Sequence, residues 1–412
     1  MNRFSRHTLA SAAIFALALI LGGCAARPTS AVLVPVTASE AYPHQITIFV
    51  ATTREPDPKY CESFCSGRSK ELHLARYVIG IPANHKPANI EWPRPGQKDP
   101  SASFATLSFA ALSPEQFMDN LADSGNQTAP APELEREQDQ EQDQGPKAIP
   151  EASQAATPET GPAKPPVVIF VHGYNTSFPE ALYRMAQLVA DNPNPGHAVL
   201  FSWPSDGTLS GYVADKDAAA FSRDQLTAFL TWLTQDPRLG DINLAAHSMG
   251  CWLTMEALRQ LRLSGHDHAL DRLGSVILAA PDIDLDVFRS QMEVIGPLTP
   301  PLTVLASPDD RALSLSDQLG GGRERVGSLD ARDPRIQALA QAEKFQLIDI
   351  SSMSATDSLN HDRFVGAAAT LQKVLEPKRN PLRKAGAFVL DAAASVLEVP
   401  GRIGRAAAEN LQ

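Results

Sequence analysis

The sequence contains 412 residues, of which 43% are hydrophobic and 20% are charged. This composition is sufficient for a large apolar core and excludes a wholly disordered or collagen-like chain. Because the chain has 47 acidic and 36 basic residues and a net charge of −11, a nucleic-acid partner is not expected. Four cysteines in a chain of this length exclude a fold built on disulfides.

The N-terminus has the organisation of an export signal. Arg3 and Arg6 precede an uncharged apolar segment, residues 9–21, that is too short to span a membrane easily. The following Leu-Gly-Gly-Cys24 resembles the lipobox of bacterial lipoproteins, which implies that residues 1–23 are a signal peptide and that Cys24 carries the lipid; the alternative is an uncleaved signal anchor. Ala25, rather than Asp, follows the cysteine, which by this resemblance favours the outer membrane of a bacterial cell envelope. Residues 24–43 are predicted to be a tether.

Two cysteines lie close together in a polar segment after the tether. Cys61 and Cys65 would meet an oxidising environment after export, so we expect a disulfide between them, with two free thiols as the alternative. A metal site is disfavoured, because only His73 lies nearby and a closed zinc site needs four ligands.

Residues 44–120 are interpreted as the first part of the folded domain. β-rich runs predict strands at residues 46–52 and 76–81, and apolar spacing predicts a short helix within residues 104–120. Residues 121–166 are acidic and of low complexity, with few large apolar side chains, and we predict a disordered insertion. A solvated spacer is the preferred interpretation, and an acidic interaction segment is the alternative.

Residues 167–376 alternate between apolar runs and amphipathic segments. Strands are predicted at 167–171, 198–203, 242–246, 275–280, 302–307 and 345–350, with helices at 180–191, 215–234 and 249–263. Such alternation predicts an α/β fold, with helices on both faces of a mostly parallel sheet of eight strands. Residues 377–412 are predicted to form a tail with a weakly amphipathic helix, which either lies on a membrane surface or packs on the domain.

A serine with small neighbours stands between a predicted strand and a predicted helix. Ala246-His247-Ser248-Met249-Gly250 fits the nucleophile elbow G-x-S-x-G, with Ala in place of the first Gly. The sharp turn requires small residues two positions either side of Ser248. The turn also places the Met249 N–H at a helix N-terminus, where it is suited to stabilise an oxyanion.

These residues resemble those of the α/β-hydrolases, and more narrowly a bacterial group of esterase/lipase-like lipoproteins. The resemblance covers about residues 44–375 without the acidic insertion. The matching motifs are Ala51-Thr-Thr-Arg54, His172-Gly-Tyr-Asn175, Phe201-Ser-Trp-Pro-Ser205, Tyr212-Val-Ala-Asp215, Ala246 to Gly250, Ala280-Pro-Asp282 and Ser307 to Leu313. The resemblance implies an α/β-hydrolase fold and the catalytic triad Ser248, Asp310 and His361, but it implies no particular substrate.

The His-Gly turn at the end of the strand 167–171 is the expected source of a second oxyanion donor. In this fold the donor usually follows the His-Gly pair, so we assign the Tyr174 N–H. A simple strand-to-helix turn is the alternative interpretation.

A serine nucleophile needs a basic histidine, which in this fold comes last of the three residues along the chain. His266 and His268 follow Ser248 with no acid-bearing strand end between them and the serine. His361 follows the last predicted strand and precedes a helical segment. We therefore predict His361 as the base.

The acid that orients the base should follow a strand end between the serine and the histidine. Asp310 follows the strand 302–307 and precedes a helical run, so we predict it as the acid, with the neighbouring Asp309 as the cap of that helix. Asp309 and Asp282 remain alternatives for the acid. Asp282 is better explained as a residue that orders its own loop.

The sequence therefore predicts a lipid-anchored serine hydrolase that acts on carboxylic esters without a cofactor or a metal. An acyltransferase with the same triad and a non-catalytic envelope scaffold are the alternatives. Trp203, Tyr212 and Asp215 are assigned to the pocket wall or to loop structure, and Cys251 to the buried core.

Overall fold

The computed structural model describes residues 27–36, 41–94, 99–123, 164, 166–192, 196–366 and 389–391. The predicted signal peptide, Cys24 and nearly all of the acidic insertion lie outside these residues. The strands are β1 (His44–Pro56), β2 (Phe64–Ile81), β3 (Ala105–Ala111), β4 (Val167–Val171), β5 (His197–Ser202), β6 (Ile242–His247), β7 (Leu273–Ala279), β8 (Thr303–Ala306), β9 (Gln346–Asp349) and β10 (Val389–Asp391). The helices are α1 (Pro114–Asp123), α2 (Phe178–Ala190), α3 (Tyr212–Gln235), α4 (Met249–Leu263), α5 (Asp267–Asp271), α6 (Leu285–Ile295), α7 (Arg311–Leu319) and α8 (Pro334–Ala342).

In the described residues all ten strands form one sheet, in the order β10-β9-β8-β7-β6-β4-β5-β1-β2-β3. β1 pairs in parallel with β5, although it comes from the other side of the acidic insertion, and β2 is the one described strand that points opposite to the rest. The parallel register places β4 between β5 and β6, with Val168 opposite Ala198 on one side and Asn243 on the other. The residues that follow β4, β6, β7, β8 and β9 therefore meet at one edge of the sheet.

The sheet is covered on both faces, as its apolar strands require. One core contains buried side chains of α1, α3, α4 and α6, among them Phe117, Phe229, Leu258 and Phe288. The other core contains the apolar side of α2, including Leu182. The predicted α/β-hydrolase architecture, a mostly parallel sheet between two helical layers, is confirmed.

The sheet has ten strands in the described residues, whereas eight were predicted, and one helix has other bounds than expected. Residues 105–111 form β3 rather than the first half of a helix, and the helix of this segment, α1, begins only at Pro114. α1 extends to Asp123, so the first three residues of the predicted disordered insertion are helical. The third difference lies in the C-terminal segment, where residues 389–391 form β10 beside β9 instead of a helix. The rest of that predicted tail helix lies outside the described residues.

The described part of the predicted tether is packed on the domain. Residues 30–33 form a short 3-10 helix whose Val32 and Leu33 are buried. The Tyr183 hydroxyl on α2 donates a hydrogen bond to the Val32 carbonyl, at 3.1 Å. Tyr42 is buried as well, beside β3. Residues 30–33, within the segment predicted to be a tether, therefore pack on the folded domain.

Candidate active site

Ser248 stands between β6 and α4 in a strained backbone conformation. Its φ is +54° and its ψ is −122°, which a residue other than glycine adopts only where the surrounding structure enforces it. The structure shows one enforcing contact at Gly250, where an added Cβ would lie 2.3 Å from the His172 carbonyl oxygen and 2.7 Å from that of Val171. The first turn of α4 thus packs directly on the end of β4, and this packing explains the glycine of the elbow motif.

The His-Gly turn after β4 lies against the serine. A Cβ on Gly173 would lie 2.9 Å from the Ser248 Cβ and 2.9 Å from Nδ1 of His247. The two predicted oxyanion donors, the N–H groups of Met249 and Tyr174, thus belong to residues that flank Ser248 on two sides. In the described part of the chain neither N–H has a hydrogen-bond acceptor, so both are free to bind a ligand oxygen. Their role as oxyanion donors stays a prediction.

His361 and Asp310 form a close pair. Nδ1 of His361 lies 2.7 Å from Oδ2 of Asp310, and the Asp310 side chain is fully buried. Oδ1 of Asp310 accepts the Leu313 N–H at 2.9 Å, so Asp310 is also the N-terminal cap of α7. The sequence assigned that cap to Asp309, and this assignment is wrong.

The charge of Asp310 acts on the pKa of His361. Burial lowers this pKa, but the hydrogen bond to Asp310 and its negative charge, together with the charges of Asp362 and Asp357, raise it by more. The net result is a pKa above the ordinary histidine value.

The imidazole of His247 connects the histidine loop to the serine. The His247 ring lies 4.6 Å from the ring of His361 and stacks on Phe364 at 4.4 Å. Burial and the nearby His361 and Arg184 hold the pKa of His247 well below its ordinary value, so this ring stays neutral. Because His247 directly precedes Ser248, these contacts place the His361 loop beside the elbow. The Ser248 hydroxyl makes no hydrogen bond to His361 within the described residues, and catalytic hydrogen bonds often form only when a ligand is bound.

Asp309, one alternative for the acid, fixes the loop that carries His361. Its Oδ2 accepts hydrogen bonds from Nδ2 of Asn360, at 3.0 Å, and from Nη2 of Arg363, at 2.5 Å. Its Oδ1 accepts the Ser307 hydroxyl at 2.6 Å. These contacts hold the residues on either side of His361, but Asp309 makes none with the imidazole.

Asp282, the other alternative, belongs to a separate polar cluster. Its carboxylate accepts the Tyr212 hydroxyl at 2.9 Å and the Ser316 hydroxyl at 2.5 Å, and it lies 3.5 Å from Nε of Arg325. Its backbone N–H donates to the Ser248 carbonyl at 3.3 Å. Asp282 thus orders its own loop, as the sequence interpretation expected; it also joins this loop to the elbow and has no contact with His361.

A buried arginine, which the sequence analysis left without a role, holds the turn after Tyr174. The Arg54 guanidinium donates to the carbonyls of Thr176, at 2.8 Å, and Ser205, at 3.0 Å. Burial lowers the pKa of Arg54 to about 10, and the charge of Asp215 opposes this shift. The side chain therefore remains charged at neutral pH. The sequence analysis named Arg54 only as the last residue of the matching motif Ala51 to Arg54, and that motif was the one available signal.

Asp215 holds the same turn from the other side. Its Oδ2 accepts the Asn175 N–H at 3.1 Å and the Ser205 hydroxyl at 2.6 Å. Trp203 stacks on His172 at 5.0 Å, and its Nε1 donates to the His172 carbonyl at 2.7 Å. Asp215 and Trp203 therefore stabilise the His-Gly turn, which agrees with the loop role predicted for them.

Arg27, the first described residue, binds at the same turn. Its Nε donates to Oε1 of Glu180 at 2.8 Å, and its Nη1 donates to Oδ1 of Asn175 at 2.6 Å. A further hydrogen bond reaches the Gly207 carbonyl. The N-terminal segment is thereby attached one residue after Tyr174, at the edge of the sheet that carries Ser248.

The cysteines do not form the predicted disulfide. Cys61 and Cys65 are both free thiols in the structure. Cys65 lies within β2, where its sulfur accepts the Gly67 N–H at 3.4 Å, and Cys61 lies exposed in the turn before this strand. Cys251 is buried in the core, as predicted, and burial raises the pKa of its thiol well above the ordinary value.

Comparison with known proteins identifies the family. Residues 158–379 match the family described as "Alpha/beta hydrolase of unknown function (DUF900)". The chain belongs to this family. The match includes all three residues of the predicted triad and excludes β1, β2, β3 and β10, which belong to the same sheet.

Other comparisons add less. A solved structure, Est1E from Butyrivibrio proteoclasticus, is similar with 15% sequence identity and a TM-score of 0.31, over 54% of this chain and 92% of that one. No curated protein matches the chain. In the described ranges no helix has the length and apolar character needed to cross a membrane. The same ranges contain no group of three or more His, Cys, Asp or Glu side chains arranged to hold a metal ion.

Proposed function

We propose that this α/β-hydrolase is a lipid-anchored serine hydrolase that cleaves carboxylic esters through an acyl-enzyme. The observation that carries the proposal is the contact of His361 with the buried Asp310, on a loop that packs beside the strained Ser248. A nucleophile, a base and an orienting acid at one strand edge are the groups that acyl transfer needs.

In the proposed reaction the Ser248 hydroxyl attacks the ester carbonyl carbon while His361 takes its proton. Asp310 holds Nδ1 of the imidazole, so that Nε2 is the basic nitrogen, and it stabilises the imidazolium. The N–H groups of Met249 and Tyr174 bind the oxyanion, and one such donor contributes about 2.7–4 kcal/mol in an enzyme where this was measured. His361 then protonates the leaving alcohol, activates a water molecule that attacks the acyl-enzyme, and returns a proton to Ser248 as the acid leaves.

A fluorophosphonate probe tests the nucleophile directly. We expect the full-length protein to be labelled covalently, and the Ser248→Ala variant to be folded but unlabelled. Ser264→Ala is the matched control, because this exposed serine follows α4, the helix that begins directly after Ser248. Labelling of Ser248→Ala, or a well-folded wild type that resists the probe, would contradict the proposal, and the second result would favour a non-catalytic scaffold.

The acceptor and the anchor need separate tests. Hydrolysis predicts only free acid as product when alcohols are added, whereas a transferase would form new esters.

For the anchor, Cys24→Ser is expected to release the protein from the membrane fraction of a producing bacterium. The proposed outer-membrane location predicts that the wild type separates with the outer-membrane fraction, and recovery with the inner membrane would contradict it.

A further inference from the structure

The exposed apolar side chains gather near the candidate active site. Six of the nine large apolar residues that are exposed in the described ranges belong to segments at the carboxyl edge of the parallel strands. Scattered apolar residues are ordinary on a protein surface, but a group on one edge indicates a binding surface. We refer to this group as the apolar rim; it consists of Leu209, Val213, Val287, Leu315, Leu319 and Leu359.

Hydrogen bonds join parts of the rim to the site. The Leu209 carbonyl accepts the hydroxyl of Tyr174, the residue whose N–H is a proposed oxyanion donor. The Leu359 carbonyl accepts the Arg311 N–H at 2.9 Å, and Leu359 lies two residues before His361. The rim therefore borders both the oxyanion turn and the histidine loop.

One helix presents a continuous apolar stripe. α7 begins directly after Asp310, and Ala312, Leu315 and Leu319 are spaced so that they share one side of it. Leu313 on the opposite side is buried, whereas Leu315 and Leu319 are 58% and 66% exposed. An exposed apolar stripe on an amphipathic helix is suited to the boundary between lipid headgroups and acyl chains.

The position of the N-terminal segment indicates that a membrane covers the apolar rim. Arg27 is bound at Asn175 and Gly207, beside the part of the rim that contains Leu209. Cys24 is only three residues away, and three extended residues span at most about 11 Å. Lipid chains on Cys24 would therefore enter a membrane next to the rim.

We propose, on the basis of the function proposed above, that the apolar rim inserts into the membrane that holds the Cys24 lipid. In this orientation the mouth of the site opens onto lipid. The substrate class is then an ester with long acyl chains that resides in the membrane, rather than a water-soluble short-chain ester.

The orientation can be measured without any activity. Leu315→Cys, in a full-length lipidated protein with Cys61→Ser and Cys65→Ser, is labelled with an environment-sensitive nitrobenzoxadiazole dye. Cys251 is buried and does not compete, and the Cys24 thiol is blocked by its lipid. The control is Leu263→Cys, which is 56% exposed at the far end of α4, about 20 Å from the elbow at 1.5 Å per residue. The proteins are reconstituted into vesicles of phosphatidylethanolamine and phosphatidylglycerol that contain a spin-labelled lipid.

We expect a blue shift and quenching by the spin-labelled lipid at position 315, and neither at position 263. The same fluorescence at both positions would overturn the proposal. A dye at position 315 that is already shielded in a Cys24→Ser variant, in buffer without detergent or vesicles, would also overturn it, because a second copy or another segment of this chain then covers the rim.

The substrate class is tested with Leu315→Glu combined with Leu319→Glu. We expect hydrolysis of a long-chain ester in these vesicles to fall at least about tenfold, because the transfer of even one leucine side chain into an apolar phase favours binding by more than that factor. Fluorophosphonate labelling and hydrolysis of a soluble short-chain ester should stay unchanged, as they should for Leu263→Glu. Equal losses on both substrates would overturn the proposal. A wild type that the fluorophosphonate does not label would instead refute the proposed function, and the dye measurement would then decide the orientation on its own.

Discussion

The substitution Asp310→Asn tests the proposed machinery most sharply. Asparagine has the same shape, and its Oδ1 can keep the hydrogen bond from the Leu313 N–H at the start of α7. The other carboxylate oxygen is replaced by an NH2 group, which would meet the Nδ1–H of His361 where these atoms now lie 2.7 Å apart. His361 must therefore move its proton to Nε2, the nitrogen that has to act as the base.

The expected loss in kcat/KM is about 10⁴-fold, the effect measured for the same change in another serine hydrolase, which corresponds to about 5.4 kcal/mol of transition-state stabilisation. The free energy of unfolding should change by only about 1 kcal/mol, because a hydrogen bond to a charged carboxylate is replaced by one to a neutral amide and the volume is kept. Kinetics with a soluble ester and urea unfolding measure the two quantities. The charge of Asp310 raises the pKa of His361 and burial lowers it. The acidic limb of the remaining activity should therefore move to lower pH.

Asp282→Asn is the matched control, because Asp282 was an alternative acid and has no contact with His361. We expect this variant to keep the position of the acidic limb, even if its stability falls. If Asp310→Asn retains more than about a tenth of the wild-type kcat/KM, or if Asp282→Asn produces the larger loss, the assignment of the acid is wrong.

Three further substitutions test the packing around the site. Gly250→Ala should lower the free energy of unfolding, measured by urea unfolding, by about 1–3 kcal/mol, because its Cβ would overlap the His172 carbonyl. Helix propensity alone predicts the opposite, an increase in this free energy of about 1 kcal/mol. Arg54→Lys should destabilise the protein by more than about 2 kcal/mol, because a lysine ammonium group cannot reach all the buried carbonyls that the guanidinium binds. Fluorophosphonate labelling of Ser248 should also become slower. Burial holds the pKa of His172 at about 3, so the unfolded chain binds a proton that the folded chain excludes between pH 6.5 and about 3. Stability should therefore fall as the pH falls through this window, and His172→Gln should flatten that slope; an unchanged slope would contradict the assignment.

The parts of the site that rest on local patterns could be predicted from the sequence. α4 has the predicted bounds, and Ser248 lies at the predicted elbow, because a buried strand, a tight turn and a helix follow one another within a few residues. The pairing of His361 with Asp310 was predicted from chain order in the resembled family, and the structure brings these two side chains together. Their catalytic roles remain predictions until the nucleophile is tested.

Features that depend on distant parts of the chain could not be predicted. Residues 105–111 have apolar spacing that also fits a helix, and their pairing with β2 decides in favour of a strand. Arg54 binds carbonyls more than a hundred positions away, so no local pattern indicates its role. The cap of α7 was assigned one residue too early, since Asp309 and Asp310 are equally suitable by type and only the direction of each side chain distinguishes them.

The sheet draws its strands from both sides of the acidic insertion, and this has a consequence for how the chain can be divided. β1 fits between β5 and β2, and Arg54 reaches the loops of the second segment, so neither segment can complete the core alone. A cut within residues 124–163 should leave two fragments that stay associated, and fragments 1–123 and 164–412 produced together should reconstitute a probe-reactive protein. The insertion can then vary in length during evolution at little cost to the folded site, because it connects two halves that recognise each other through the sheet.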